Sequence, residues 1–167
     1  MFNCPKFLLI LLLIIPFPSL SNSLLQKIDI KLKNNIVLND KKNIEKKLFN
    51  ILDFNSKYVV NFWATWCIPC KKELPDLKKM KIDNKDLKVI IISIDKKSIE
   101  DQLNFLKKNK VNELTPYFDQ NMTFFRSLKL KGIPTTLLIK QQKIIAKKEG
   151  IFSYNQNSLD QINNFFN

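Results

Sequence analysis

Cys67 and Cys70 enclose Ile68 and Pro69 directly after the segment Asn61–Trp66, so an apolar stretch runs straight into a CxxC. The two sulfurs of such a pair lie one helical turn apart and can close into a disulfide or reopen as two thiols. A first cysteine at a helix N-terminus meets unpaired backbone N–H groups and the positive end of the helix dipole, which favour the thiolate. The chemistry this spacing points to is thiol–disulfide exchange. Other uses of the pair compete with it. Zinc needs about four ligands, whereas the chain has no histidine and one further cysteine, Cys4, so no metal site is expected. A purely structural bridge over so short a loop removes little unfolded-state entropy. Two idle buried thiols would leave Trp66 before the pair and Pro69 inside it without explanation.

Several function classes fall away on composition. At 167 residues, 45% of them apolar, the chain has material for one domain with a sizeable core. Its two glycines, Gly132 and Gly150, leave no glycine-rich phosphate loop. The formal charge of +13 would suit an anionic partner. The lysines, however, come as scattered doublets such as Lys41–Lys42, Lys96–Lys97 and Lys147–Lys148, the pattern of solvated faces, and no nucleic-acid motif accompanies them. No nucleic-acid partner is expected.

The N-terminus differs in kind. Lys6 precedes the uninterrupted apolar run Phe7–Ile15, and a proline and serine zone follows, with Ser19 and Ser21 ahead of a cut near Asn22. This reads as a signal peptide over residues 1–21, with an uncleaved anchor as the weaker alternative, because the run is about half the roughly 20 residues that span a bilayer. Cys4 lies before the apolar run, where a lipidated cysteine would not. Export leaves Cys67 and Cys70 as a redox pair in an oxidising compartment, the periplasm.

The elements that must position the pair follow from periodicity. Ile28–Leu38 partly alternates and predicts a strand or hairpin, while Ile44–Phe54 has helix-compatible spacing. Tyr58–Trp63 predicts a central strand, and Leu87–Ile94, with Val89–Ile92 uniformly apolar, a buried parallel strand. A helix should start at Cys67 and kink at Pro75. Ile99, Leu103 and Leu106 mark an amphipathic helix within Lys96–Lys110. A short strand at Tyr117–Phe118, a short helix over Met122–Leu128, strands at Thr135–Ile139 and Ile144–Ala146 around Gln141–Gln142, and a helix closing on Phe166 complete the domain. Strands alternating with helices imply a central sheet covered on both faces.

Val59–Pro75, with its Trp-Cys-Ile-Pro-Cys core, and Gly132-Ile-Pro-Thr-Thr136 together resemble the thioredoxin superfamily, and within it the exported TlpA and ResA type of thiol-disulfide oxidoreductase. The resemblance covers about Ile28 to the C-terminus. It implies an α/β, thioredoxin-like fold over residues 22–167: a central mixed β-sheet flanked by helices, with an N-terminal strand or hairpin extension and a central strand-helix insertion. It also implies roles. Cys67 would attack a client disulfide and Cys70 resolve the mixed disulfide. Pro134 matches the family's cis-proline, and Ile133 before it would offer backbone hydrogen bonds to an extended substrate, beside a surface made by Trp66, Ile68 and Pro69. Thioredoxin carries a buried aspartate where this chain has Asn61, which takes up no proton. Glu73, one turn further along the helix, matches the glutamate that the TlpA and ResA type place under the active site, so the resemblance implies it as the proton acceptor for Cys70; the competing reading is an exposed glutamate paired with Lys71 or Lys72.

Ile68 and Pro69 place no charge beside Cys67, so a potential nearer about −270 mV than about −120 mV is expected, which favours a reductase. No cofactor beyond the Cys67–Cys70 disulfide is called for. The resemblance implies client proteins such as apocytochrome c or the copper site of an oxidase, with electrons from a membrane thiol transporter. A peroxidase would want an arginine beside its cysteine, and the single arginine, Arg126, is far along the chain. A copper metallochaperone would have only two thiolates to offer. A binding module without catalysis, using the Trp66 surface, is the remaining alternative.

Overall fold

The computed structural model describes residues 25–167. The leader assigned to residues 1–21, the cut near Asn22 and Cys4 lie outside them.

The chain runs β1 (Gln26–Lys31), β2 (Val37–Asn39), β3 (Glu45–Lys47), α1 (Leu48–Ile51), β4 (Lys57–Trp63), α2 (Ile68–Asp83), β5 (Leu87–Ser93), α3 (Ile99–Lys108), β6 (Thr115–Phe118), α4 (Thr123–Ser127), β7 (Thr135–Lys140), β8 (Lys143–Glu149) and α5 (Gln156–Phe166). All eight strands form one mixed sheet in the order β1-β8-β7-β4-β5-β6-β2-β3. The apolar strands β4 and β5 take the centre and pair in parallel, with β6 parallel beside β5. β7 runs antiparallel to β4 and β8 antiparallel to β7. This is the thioredoxin-like arrangement of a mixed sheet between helices.

Alternation along β4 sends its side chains to two cores. Asn61 and Trp63 face α2 and α3, where Trp63 stacks on Phe105, and Lys57 on the same face reaches the Phe166 ring of α5. Tyr58 and Phe62 point the other way. Tyr58 donates its hydroxyl to the carbonyl of Ile51 in α1, and Phe62 packs against Phe124 and Phe125 of α4 with ring centroids 5.4 and 5.5 Å apart. Burying each large apolar side chain in these layers contributes about 1.5–3 kcal/mol. Ser98 caps α3 by accepting from the N–H of Asp101, with Glu100 and Asp101 in the first turn and Lys107 and Lys108 in the last, the charge order that the helix dipole favours.

Two local expectations need adjustment. Of the strand or hairpin expected over Ile28–Leu38, the strand forms as β1 and the segment does not fold on itself: β1 pairs with β8 at one edge, whereas β2 pairs with β3 and β6 near the other. The hairpin is β2–β3. Its turn is fixed by Asp40, whose Oδ1 accepts from the N–H groups of Lys42 and Ile44 at 2.8 and 3.0 Å. Ile44–Phe54 is mainly not helix, because Glu45–Lys47 is drawn into that hairpin and one turn, Leu48–Ile51, remains. The helix expected after Cys67 forms as α2 and contains Pro75, which lies on its exposed side.

Candidate active site

The strands β4, β5 and β6 all end, and β7 begins, at the same edge of the sheet. The turn leaving β4 is held there by the neighbouring strand end. Asp95, just past β5 and buried, accepts from both the N–H and the hydroxyl of Thr65 at 2.9 and 2.5 Å. Burial would raise the Asp95 pKa, but these bonds and the N–H of Lys97 outweigh it and hold the carboxyl below its ordinary value. With Thr65 fixed, the Cys67 N–H donates to the Ala64 carbonyl at 3.1 Å and the chain enters α2.

Cys67 is the N-cap of α2, and its sulfur accepts from the N–H of Cys70 at 3.2 Å. The two cysteines are joined by a disulfide across a Cα–Cα distance of 5.3 Å. Cys70 is fully buried and Cys67 is 4% exposed, while Trp66 and Ile68 beside them are 61% and 66% exposed. The first sulfur thus lies at the foot of an apolar rim, to which exposed Pro69 also belongs.

β7 delivers the second motif. Thr135 pairs with Phe62, so Ile133 and Pro134 lie level with the end of β4, where the cysteine turn departs. The Ile133–Pro134 peptide is cis. Pro134 is buried, its carbonyl tied to the N–H of Gly150 at 2.9 Å, and Gly150 sits at φ +83°, a region open to glycine. Half-buried Ile133 keeps its backbone N–H and C=O out of the hydrogen bonds among the described residues.

Glu73 is wholly buried, so the exposed reading, with Lys71 or Lys72 as partner, does not hold; Lys71 lies instead over the Phe105 ring at 5.3 Å. Its Oε1 accepts from the Asn61 amide at 2.7 Å and its Oε2 from the Phe152 N–H at 2.6 Å. The same Asn61 nitrogen donates to Thr136 Oγ1 at 3.0 Å. Thr136 is in turn paired with Lys148 on β8, so Asn61, Thr136 and Lys148 form one row across three strands. Burial pushes the Glu73 pKa up to about 7, although the Phe152 and Asn61 bonds and the Lys148 charge pull the other way. A carboxyl that changes protonation near neutral pH, three residues after Cys70 on the buried side of α2, is a competent proton acceptor or donor. Asp95, Phe152 and Lys148 carry no site role in the sequence reading, and Thr136 enters it only as the end of the Gly132–Thr136 motif. Only Asp95 carried a signal, as an acid directly following a buried strand.

Among the described residues no three or more His, Cys, Asp and Glu side chains stand together to hold a metal ion, and no helix is long and apolar enough to cross a membrane. Arg126 lies exposed on α4.

Comparison with known proteins bears on the same residues. The Redoxin family profile matches residues 21–162. The thiol-disulfide oxidoreductase ResA of Bacillus thuringiensis is 32% identical over 122 residues, covering 70% of this chain and 66% of that protein, just under two thirds of its length. A crystal structure from Chlorobium tepidum, assigned as a thiol:disulfide interchange protein DsbE, matches with a TM-score of 0.67 and 26% identity over 88% of this chain and 100% of that one. StoA from Bacillus subtilis shares the fold, with a TM-score of 0.60 and 20% identity over 79% and 96% of the two chains.

Proposed function

The chain belongs to the Redoxin family and has the thioredoxin-like fold of TlpA and ResA type proteins, and from that premise we propose that it is an exported thiol-disulfide oxidoreductase that reduces particular client disulfides. One observation carries the reading: a redox-capable cysteine pair at the head of α2 stands one turn from a wholly buried carboxyl.

In the dithiol form the Cys67 thiolate, stabilised by the helix N-terminus, attacks one sulfur of the client disulfide. A mixed disulfide forms and the client's other sulfur leaves as a thiolate. Glu73 then takes the proton of Cys70, and the Cys70 thiolate attacks the Cys67 sulfur. The Cys67–Cys70 disulfide closes and the client departs as a dithiol, two electrons having passed to it. Ile133 holds the client segment through its free backbone groups, with Pro134 behind it and Trp66, Ile68 and Pro69 forming the opposite wall. A dithiol donor, in our reading a membrane thiol transporter, reduces the pair again. No other redox group is called for.

Apocytochrome c and oxidase copper-site proteins are the proposed clients, and the periplasm the proposed compartment, reached through the apolar leader Phe7–Ile15. Replacing Cys70 with Ser tests the reading. The expected result is a set of mixed disulfides through Cys67 in the exported fraction, dissolved by dithiothreitol. A consistent lack of adducts would favour a binding module without catalysis.

A further inference from the structure

The charge around the cysteine pair is not the chain's average. Residues 64–72 and 120–134, the two segments that bracket the pair and the Ile133–Pro134 bond, contain Lys71, Lys72, Arg126, Lys129 and Lys131 and no acidic residue. All five cations are exposed. Of the carboxyls at this end of the sheet, Asp95, Asp119 and Glu73 are buried and turned inward, Asp95 onto Thr65, Asp119 onto the Phe125 N–H and Glu73 onto Asn61, while the partly exposed Glu149, opposite Thr135 on β8, is paired with Lys147 at 2.8 Å. None of the five cations forms an ion pair among the described residues, although Lys131 lies near enough to Glu149 to lower its pKa. At the opposite end of the sheet the acids are outside, and three of them are matched: Asp53 with Lys88 at 2.6 Å, Asp83 with Lys79 at 2.5 Å and Glu113 with Lys78 at 2.8 Å. The loop after β5 is balanced as well, Lys96 and Lys97 being followed by Glu100 and Asp101. A general lysine excess would not sort the carboxyls in this way.

We infer that the client segment bearing the reducible cysteine is acidic, with Asp or Glu residues flanking that cysteine on the stretch that lies between α2 and the Ile133 loop. The inference rests on Cys67 attacking a client disulfide and adds which clients it attacks. Cations on both sides of the apolar rim complement an extended acidic chain laid across it, and such complementarity acts chiefly on encounter and on rejection of wrong partners. An anionic membrane surface would also be drawn to these cations. The extended segment is favoured because the cations lie on the two chain segments that carry the cysteine pair and Ile133, whose backbone groups are outside the hydrogen bonds among the described residues.

The test uses the full-length protein, reduced with dithiothreitol and desalted, and three peptides, each closed by one disulfide and differing only in whether Glu, Ser or Lys flanks the cysteines. In each turnover the Cys67–Cys70 dithiol becomes a disulfide and the peptide a dithiol. At low salt the Glu peptide should be reduced about tenfold faster than the Lys peptide. The ratio should collapse in high salt, where screening shortens to a few ångströms. Lys129→Glu with Lys131→Glu should reverse the order, while the charge-matched control Lys85→Glu with Lys108→Glu should keep it. Equal rates for all three peptides overturn the inference and leave the oxidoreductase reading standing; reduction of none overturns both. Equal rates combined with sedimentation on phosphatidylglycerol vesicles, lost in the Lys129→Glu, Lys131→Glu variant, would assign the patch to a membrane and likewise overturn it.

Discussion

Asn61 on β4 donates its side-chain amide to Glu73 on α2 at 2.7 Å, so the buried carboxyl takes its bond from a residue that cannot itself carry a proton. Within this hydrogen-bonded pair only Glu73 ionises, and Lys148 is the cation that acts on it.

Glu73 carries a pKa of about 7 in the fold against an ordinary 4.5, because burial penalises its charged form. A carboxyl with a raised folded value adds stability in full below the unfolded value and loses it as pH climbs through the folded one. Between pH 4.5 and 8, the disulfide form should lose about 3 kcal/mol of unfolding free energy relative to a Glu73→Gln variant. Urea midpoints of both proteins across this range measure it, and a constant difference would contradict the raised value.

Asn61→Asp sets a second carboxyl against the first and removes the amide donor. Two carboxyls in contact do not both ionise readily, and the pair holds one proton to higher pH. The pH profile of client reduction should move upward by about one unit or more. An unmoved profile would mean that Glu73 does not limit the step.

Asp95→Ala leaves the buried N–H and hydroxyl of Thr65 without their acceptor. The expected loss is about 2–4 kcal/mol in unfolding free energy, with faster alkylation of Cys67 in the reduced protein as the turn loosens. Asp95→Asn, which keeps one acceptor oxygen, should lose less. Wild-type alkylation kinetics in both variants would show that the turn holds without Asp95.

Pro69→His places a cation beside the Cys67 thiolate and stabilises the reduced form. Equilibration with dithiothreitol redox buffers should place the wild type near about −270 mV and the variant several tens of millivolts higher, about 30 mV for each 1.4 kcal/mol of stabilisation. A wild-type midpoint above about −180 mV would defeat the reductase direction.

The centre of the molecule was legible because its signals are local. The apolar run into Cys67, the Val89–Ile92 run and the spacing of Ile99, Leu103 and Leu106 each lie within a few residues, and the two motifs supplied Glu73 and Pro134. The partners of Glu73 were not legible, since Thr136 lies 75 residues from Asn61 and Phe152 lies 79 from Glu73, and only the closed sheet brings them together. The periphery failed for another reason. β2 and β3 have three residues each and α1 four, too few for any period to show.

On the proposed function, the two outermost strands bear on how the protein avoids being stitched to an extended client chain. β3 is Glu45–Lys46–Lys47, short and fully exposed, and β1, Gln-Lys-Ile-Asp-Ile-Lys, breaks register between Lys27 and Ile30. Short, lysine-bearing and irregular margins resist the addition of another strand, the route by which sheets grow into aggregates. With both borders discouraged from pairing, a client of the proposed reaction would find the peptide at Ile133, beside the cysteines, as its backbone contact, and would leave once its sulfurs had been exchanged.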